Sequence, residues 1–229
     1  MKLLAIDASG QHVSAALATG AGLRERSAVS ERGHGEQLLA FVDELLAEAG
    51  MRLRSLDAIA FGRGPGAFTG VRLAVAVAQG LGYAWAKPLI PISDLQALAA
   101  RALAAVPATR VLVCQDARMQ EVYWACFERA GDQVMHRSEE AVSSPERVAL
   151  PQDWEQGQLA LVGAGSGFEA YPVLRQRFAA QLQAVVPELR PHAREIAELA
   201  AQSGLAASVP AAQAQPVYLR DRVTSLSSN

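Results

Sequence analysis

The residues whose types and spacing could most clearly bind a ligand form a glycine-rich string. It lies between a short apolar run (residues 58–61) and a long one (residues 71–85). Its candidate positions are Gly64, Gly66, Thr69 and Gly70. Glycine permits positive φ and close backbone approach, and a threonine can cap a helix. Helix N-terminal amides behind glycines bind anions, but a tight strand-to-helix turn without a ligand needs the same residues, so both interpretations stay open. The string lacks the Gly-Lys-Ser/Thr of a Walker loop and the central serine of a nucleophile elbow.

Metal-binding and nucleophilic side chains are few and widely spaced. They are His12, His34, His136, His192, Cys114 and Cys126. The histidines and cysteines have no metal-ligand spacing, and no serine–histidine pair indicates a nucleophilic system. We therefore predict no catalytic residue and no metal site. Both cysteines lie in apolar runs, which is typical of buried thiols in a reducing compartment.

The elements that position the glycine string alternate between strands and helices. Residues 2–7, 13–18 and 22–29 are predicted to be three successive strands. A helix over residues 34–49 follows from its apolar spacing and is ended by Gly50. After the strand at 58–62 come the apolar helix over 71–85, a short strand at 89–92, and a helix to residue 103 that Ser93 caps.

The pattern restarts near residue 107 with a buried strand at 110–115 and two further strands at 121–129 and 133–137. A strand at 159–162, a helix over 171–180, a strand at 184–186 and a helix over 194–203 complete it. Two such halves, residues 1–106 and 107–229, resemble the two-lobed α/β fold of the actin, sugar-kinase and Hsp70 (ASKHA) group, with duplicated ribonuclease-H-like domains. A doubly wound single domain is the alternative, but three opening strands without intervening helices argue against it.

Four strings resemble one protein family over nearly the full length. They are Leu4-Ala5-Ile6-Asp7-Ala8-Ser9, Gly62-Arg63-Gly64-Pro65-Gly66-Ala67-Phe68-Thr69-Gly70-Val71-Arg72, Asp116-Ala117-Arg118-Met119-Gln120-Glu121-Val122-Tyr123, and Pro216-Val217-Tyr218-Leu219-Arg220-Asp221. The family is TsaB (YeaZ), a component of the bacterial tRNA threonylcarbamoyladenosine machinery. The resemblance implies a non-catalytic subunit that pairs with and activates its paralogue TsaD, is joined by the ATPase TsaE, forms a homodimer when alone, and meets tRNA through the complex.

Kinases of the ASKHA fold bind ATP phosphates at two glycine-bearing hairpin turns. The matching turns here contain Asp7, Ser9 and Gly10 in the first half and Asp116 in the second. Because side chains crowd the amides that would hold phosphate, we interpret these turns as vestigial, with the aspartates stabilising them. We expect no cofactor in this chain and place ATP and metal in the partner subunits. TsaD holds its metal with a His-x-x-x-His pair, of which only His34 remains here.

The helix over residues 71–85 is apolar around most of its circumference, whereas a surface helix shows one apolar stripe. We predict that it forms a partner interface together with the helix at residue 34. The predicted interface residues are His34, Leu38, Phe41, Val42, Leu45, Arg72, Val75, Ala78, Gln79, Gly82 and Tyr83. Small residues in steps of four, such as Ala74 and Ala78, would admit a second helix. In the alternative, the chain's own sheet and first helix bury this face.

The composition and net charge further limit the classes of function that this chain could have. The 229 residues are 51% hydrophobic and 19% charged, with a net charge of −2, which predicts a globular protein without general attraction to nucleic acid. With no signal-peptide pattern and no long apolar segment, we expect a cytoplasmic protein that does not bind membranes. An active small-molecule kinase and, less favoured, a metallopeptidase-like protein remain alternative functions.

Overall fold

The computed structural model describes residues 1–10, 12–29, 33–154 and 160–220. The first lobe is built on a five-stranded sheet with the order β3-β2-β1-β4-β5. Its strands are β1 (Leu3–Asp7), β2 (His12–Thr19), β3 (Gly22–Val29), β4 (Ala58–Gly62) and β5 (Leu89–Ile92). The first three strands pair antiparallel, and β4 and β5 extend the sheet parallel to β1. The near-continuous apolar sequences of β1 and β4 fit their complete burial at the centre.

The second lobe repeats this arrangement in the order β11-β10-β6-β7-β8. Its strands are β6 (Arg110–Asp116), β7 (Val122–Ala130), β8 (Gln133–His136), β9 (Ala141–Ser143), which also pairs with β7, β10 (Leu161–Ala164) and β11 (Leu182–Val186). Again three antiparallel strands are followed by two parallel ones. The predicted duplicated, two-lobed α/β fold is confirmed. A doubly wound single sheet is contradicted, because each sheet opens with a meander.

Six helices are seen in the described part of the chain: α1 (His34–Glu48), α2 (Phe68–Ala84), α3 (Asp94–Ala105), α4 (Gly167–Ala170), α5 (Pro172–Arg177) and α6 (Ala193–Ser203). The Ser93 hydroxyl accepts from the Gln96 amide and caps α3, as predicted. The helix predicted over residues 171–180 is wrong in extent. Pro172 begins a new helix there, because proline fits the first helical turn but not a helix interior.

The core is layered. Helices α1 and α2 cover one face of the first sheet, whereas α3 and α6 lie between the two sheets in a shared apolar cluster. Helices α4 and α5 cover the far face of the second sheet. After β11 the chain returns to the first lobe, where α6 packs on β1 and β2, and Val209 pairs with Leu89 of β5. The described residues after position 106 therefore contribute to both lobes, and a domain boundary near residue 106 stays a prediction.

Among the described residues, no helix combines the length and apolarity needed to cross a membrane.

Candidate functional site

The glycine string forms the tight connection between β4 and α2. Gly64 has a φ of 96°, which a side-chain-bearing residue rarely adopts. A Cβ on Gly66 would lie 2.6 Å from the Ser9 carbonyl oxygen, and a Cβ on Gly70 would overlap the carbonyl oxygen of Ala8. The string therefore packs directly on the turn after β1, where the Ala67 amide donates to the Ser9 carbonyl at 2.7 Å.

The predicted cap by Thr69 is wrong. Helix α2 already begins at Phe68, its N-cap is Ala67, and no side chain caps it. Thr69 is instead an exposed residue of the first helical turn. The backbone conformation of Gly64 and the close packing of Gly66 and Gly70 are sufficient to explain why glycine occupies these positions, which agrees with the ligand-free interpretation of the turn. Anion binding at this helix end stays a prediction.

Asp7 does not face the space where a ligand would bind. Its side chain is 1% exposed and lies beside Asp94, which is 0% exposed, with both carboxylates against the backbone of Gly62. Asp7 accepts the Ser9 amide at 2.9 Å, and Asp94 accepts the amide of Gly64. Burial raises the pKa of Asp7, and burial together with repulsion from Asp7 holds the pKa of Asp94 well above its usual range.

Asp116 occupies the corresponding end of the first strand in the second lobe and stabilises the β6–β7 turn. It accepts the Arg118 amide at 2.8 Å and the Tyr171 hydroxyl at 3.0 Å. The next residues, Arg118, Met119 and Gln120, have φ values of 62°, 54° and 61°. Three successive left-handed residues with side chains are costly, on the order of 1 kcal/mol each, so the surrounding contacts must hold this turn in place.

The two predicted phosphate turns face each other across an inter-lobe cleft of about 910 Å³. Ser9 and Gly10 line one side with Gly66 and Phe68 of the first lobe, and Asp116 and Arg118 line the other. Asp7 is the one predicted member of these turns that is absent from the lining. His34, the first residue of α1, also lines the cleft, rather than lying on an outer helix face.

The predicted partner interface needs correction, because most of its apolar members lie in the chain's own core. The core members are Leu38, Phe41, Val42, Leu45, Val75, Ala78 and Gly82. They pack between the helices and the first sheet, and residues 211–213 further cover α2. An apolar sequence alone does not show which flanks of a helix are covered from elsewhere in the chain.

A different strip of α2 faces outward. Ala76 and Gly80 are exposed, Leu73 and Val77 on the same face are half-buried, and Tyr83 is 84% exposed at the helix end. A Cβ on Gly80 would meet no atom within 4 Å. On α1, Leu39 is 45% exposed. This strip, residues 73, 76, 77, 80 and 83, is called the outer face of α2 below.

The two other predicted polar interface residues contact the end of the chain. Gln79 donates to the Ala214 carbonyl at 2.8 Å, and Arg72 donates to the Tyr218 hydroxyl at 2.6 Å. The Arg72 guanidinium also lies 3.5 Å from the centre of the Phe68 ring. Both residues are thus already engaged within the chain.

Two buried groups were missed by sequence reasoning. Glu140, whose side chain is 7% exposed, pairs with Arg63 of the glycine string at 3.1 Å and accepts from the Ser93 hydroxyl. It thereby joins the second lobe to two loops of the first. Asp94, the partner of Asp7, has the sequence signature of an ordinary first-turn acid on α3. Neither role has a local signal, because each depends on residues 30 or more positions away.

Among the described residues, no three His, Cys, Asp or Glu side chains are arranged to hold a metal ion. His12 and His192 come together, with ring centres 5.3 Å apart, beside Glu25. Both cysteines are free and buried, and burial raises the pKa of the Cys126 thiol to about 12.

The sequence is similar to proteins of one family along almost its whole length. The family model described as "TsaD: tRNA N6-adenosine threonylcarbamoyltransferase" matches residues 27–227. The tRNA threonylcarbamoyladenosine biosynthesis protein TsaB of Escherichia coli is 36% identical over 225 residues, covering 97% of this chain and 96% of that protein. The Haemophilus influenzae protein of the same name is 34% identical and covers 98% and 95%.

Two solved structures are also similar to this chain over almost its whole length. YeaZ from Pseudomonas aeruginosa superposes with a TM-score of 0.87 at 42% identity, covering 95% of this chain and 99% of that one. A second Pseudomonas aeruginosa structure, described as similar to peptidase YEAZ, gives a TM-score of 0.88 at 42% identity over 96% and 99%. With a family model over most of its length and TsaB proteins at 34–36% identity, the chain belongs to the TsaB (YeaZ) branch of the TsaD family.

Proposed function

We propose that the chain is a non-catalytic subunit of the bacterial complex that forms N6-threonylcarbamoyladenosine in tRNA, and that it pairs with and activates a TsaD protein in the cytoplasm. The ATPase TsaE joins this assembly, tRNA is reached through the complex, and the chain alone pairs with a second copy. ATP and metal belong to the partner subunits.

The observation that carries this proposal is the outer face of α2. Helices with exposed small residues in steps of four pack closely against a second helix, and Ala76 and Gly80 have this spacing. Half-buried Leu73 and Val77 flank them, and Tyr83 adds a large amphipathic side chain of the kind enriched in protein interfaces. Apolar surface of this kind favours association with another chain.

A scaffold role is supported by the environment of the two turn aspartates. The carboxylate of Asp7 is turned into the core against Asp94, so it cannot reach a phosphate-bound metal in the cleft. Asp116 is committed to the Arg118 amide, the Arg118 guanidinium and Tyr171. Magnesium and millimolar ATP should therefore leave the melting temperature of the isolated chain unchanged. A clear rise would favour the kinase alternative, since ligand binding stabilises the folded state.

The interface is tested with a charge on the outer face of α2. Ala76→Glu should weaken binding to purified TsaD by about tenfold or more, because it buries an unpaired carboxylate at a helix contact. The fold should persist, since Ala76 is exposed. Ala201→Glu, on an exposed position of α6, is the matched control and should bind TsaD normally. Undiminished binding by Ala76→Glu would place the interface elsewhere.

A further inference from the structure

The end of the described chain crosses from the first lobe to the second without helix or strand of its own. Residues 214–220, called the C-terminal strap here, begin beside α2 and end at the β6–β7 turn. On the α2 side, Gln79 donates to the Ala214 carbonyl and Arg72 to the Tyr218 hydroxyl. Midway, the Val217 amide donates to the Arg63 carbonyl at 2.7 Å, so the strap also lies against the glycine string.

The far end of the strap holds the left-handed turn of the second lobe. Arg220, whose side chain is 17% exposed, donates to the Ala117 carbonyl at 3.2 Å and forms an ion pair with Glu121. Its guanidinium also lies 3.6 Å from the Met119 sulfur. These contacts surround the three residues with positive φ. Strained backbone of this kind persists only where its surroundings over-determine it.

The strap therefore has anchors of two kinds. Its first anchors are side chains of α2, and its last are backbone and side-chain groups of the β6–β7 turn. Four of its residues, Val217 to Arg220, line the inter-lobe cleft between these anchors. Because Ala214 and Arg220 are six positions apart, a short segment joins the two sets of anchors.

We propose that the C-terminal strap couples helix α2 to the β6–β7 turn, so that contacts made at α2 set the order of the left-handed turn across the cleft. Where a partner subunit binds α2, a step that rests on the function proposed above, the partner acts on the cleft through Arg72, Tyr218 and Arg220. Coupling between two sites requires an element whose state both sites bias, and the strap is that element.

Hydrogen exchange in the isolated chain tests whether the C-terminal strap orders the β6–β7 turn. Hydrogen exchange is measured at the Ala117 and Glu121 amides, which bond to the Glu121 and Arg118 carbonyls within the turn. A chain ending at residue 213 should exchange there about tenfold faster than a chain ending at residue 220. The amides of β1 serve as a control for the fold and should be unchanged. Equal exchange in the turns of the two chains would overturn the proposal.

Point variants keep the test valid if the shortened chain fails to fold. Arg72→Gln combined with Gln79→Ala removes the α2 anchors without touching the turn, and it should accelerate exchange at Ala117 and Glu121. Arg190→Gln is the matched control, because Arg190 lines the same cleft and, within the described part of the chain, its hydrogen bonds go to the Pro187 and Leu189 carbonyls. If the α2 variants leave the turn as protected as Arg190→Gln does, no coupling exists.

Adding purified TsaD then tests whether binding of a partner changes the order of the β6–β7 turn. Exchange in the turn should slow by about fivefold in the full chain and stay unchanged in Arg220→Gln. Failure of TsaD to bind would contradict the proposed function but not the link seen in the isolated chain. Binding with no change in the turn, or with the same change in Arg220→Gln, would overturn transmission through the strap.

Discussion

Replacing Asp94 by asparagine tests the buried carboxylate pair, the most unusual electrostatic feature of the chain. Asp7 and Asp94 are almost fully buried, and the Asp7 Oδ2 and Asp94 Oδ1 atoms have no hydrogen-bond donor among the described groups. Two such carboxylates avoid repulsion when one proton lies between them, so that one donates to the other. In Asp94→Asn, the amide oxygen can accept from Gly64 and the amide nitrogen can donate to Asp7.

The sign of the effect follows from the raised pKa values. The folded chain holds a proton that the unfolded chain releases in the ordinary carboxyl range. The stability contributed by this pair is therefore fully present below that range and is lost as pH rises through the raised folded pKa values. A difference of one bound proton changes the free energy of unfolding by about 1.4 kcal/mol per pH unit. The asparagine variant should lose less stability, because it removes the titration of Asp94 and gives Asp7 an amide donor, although Asp7 stays buried.

The assay is urea unfolding of both proteins from about pH 5 to about pH 8. Wild type should lose stability relative to Asp94→Asn as pH rises. Asp132→Asn, in an exposed turn, should follow the wild-type curve. Asp94→Ala should be about 1–3 kcal/mol less stable than Asp94→Asn throughout this range, because it leaves the Gly64 amide without its acceptor. Parallel curves for wild type and Asp94→Asn would refute the shared proton.

Three further substitutions and one labelling experiment test the glycine packing, the α3 cap and the buried thiol. Gly70→Ala should destabilise the fold by about 1–3 kcal/mol or more, since its Cβ overlaps the Ala8 backbone, whereas Gly80→Ala should gain about 0.5–1 kcal/mol in urea unfolding. Equal effects would contradict the close approach of Gly70 to Ala8. Ser93→Ala should lower the unfolding free energy by about 1 kcal/mol or more, because it removes both the α3 cap and a hydrogen bond to Glu140, and an unchanged midpoint would exclude both roles. Because burial raises the pKa of Cys126 to about 12, the folded chain should resist a thiol reagent at neutral pH, and rapid labelling before unfolding would contradict this.

Local sequence signals were sufficient for most elements and their order, but they missed β9 and the division of the helical segment near residue 171 into α4 and α5. The apolar spacing of residues 34–49 and Gly50 gave α1 to within one residue, and Ser93 marked the start of α3 correctly. The three opening strands of each half gave the duplicated sheets. These features are encoded within a few residues of where they occur, so periodicity and capping residues reveal them.

The partner face could not be derived in the same way. Val75 and Ala78 were predicted to face outward because α2 is apolar on nearly all sides, but the sheet, α1 and residues 211–213 cover them. That last cover comes from the other end of the chain. The exposed strip at Ala76 and Gly80 differs from the buried one at Val75 and Ala78 by one or two positions, a rotation that composition does not specify.

Asp7 and Asp116 occupy equivalent positions in the two lobes but have different roles. Each is the last residue of the first strand of its sheet, and each accepts the amide two residues later. Their surroundings nevertheless differ, since Asp7 meets a second buried carboxylate over Gly62, while Asp116 meets the Tyr171 hydroxyl and Arg118 at the cleft. The Asp116 residue therefore lines the cleft, whereas the Asp7 carboxylate is buried away from it. The same strand position therefore carries an acidic group that serves the core in the first lobe and the strained turn in the second.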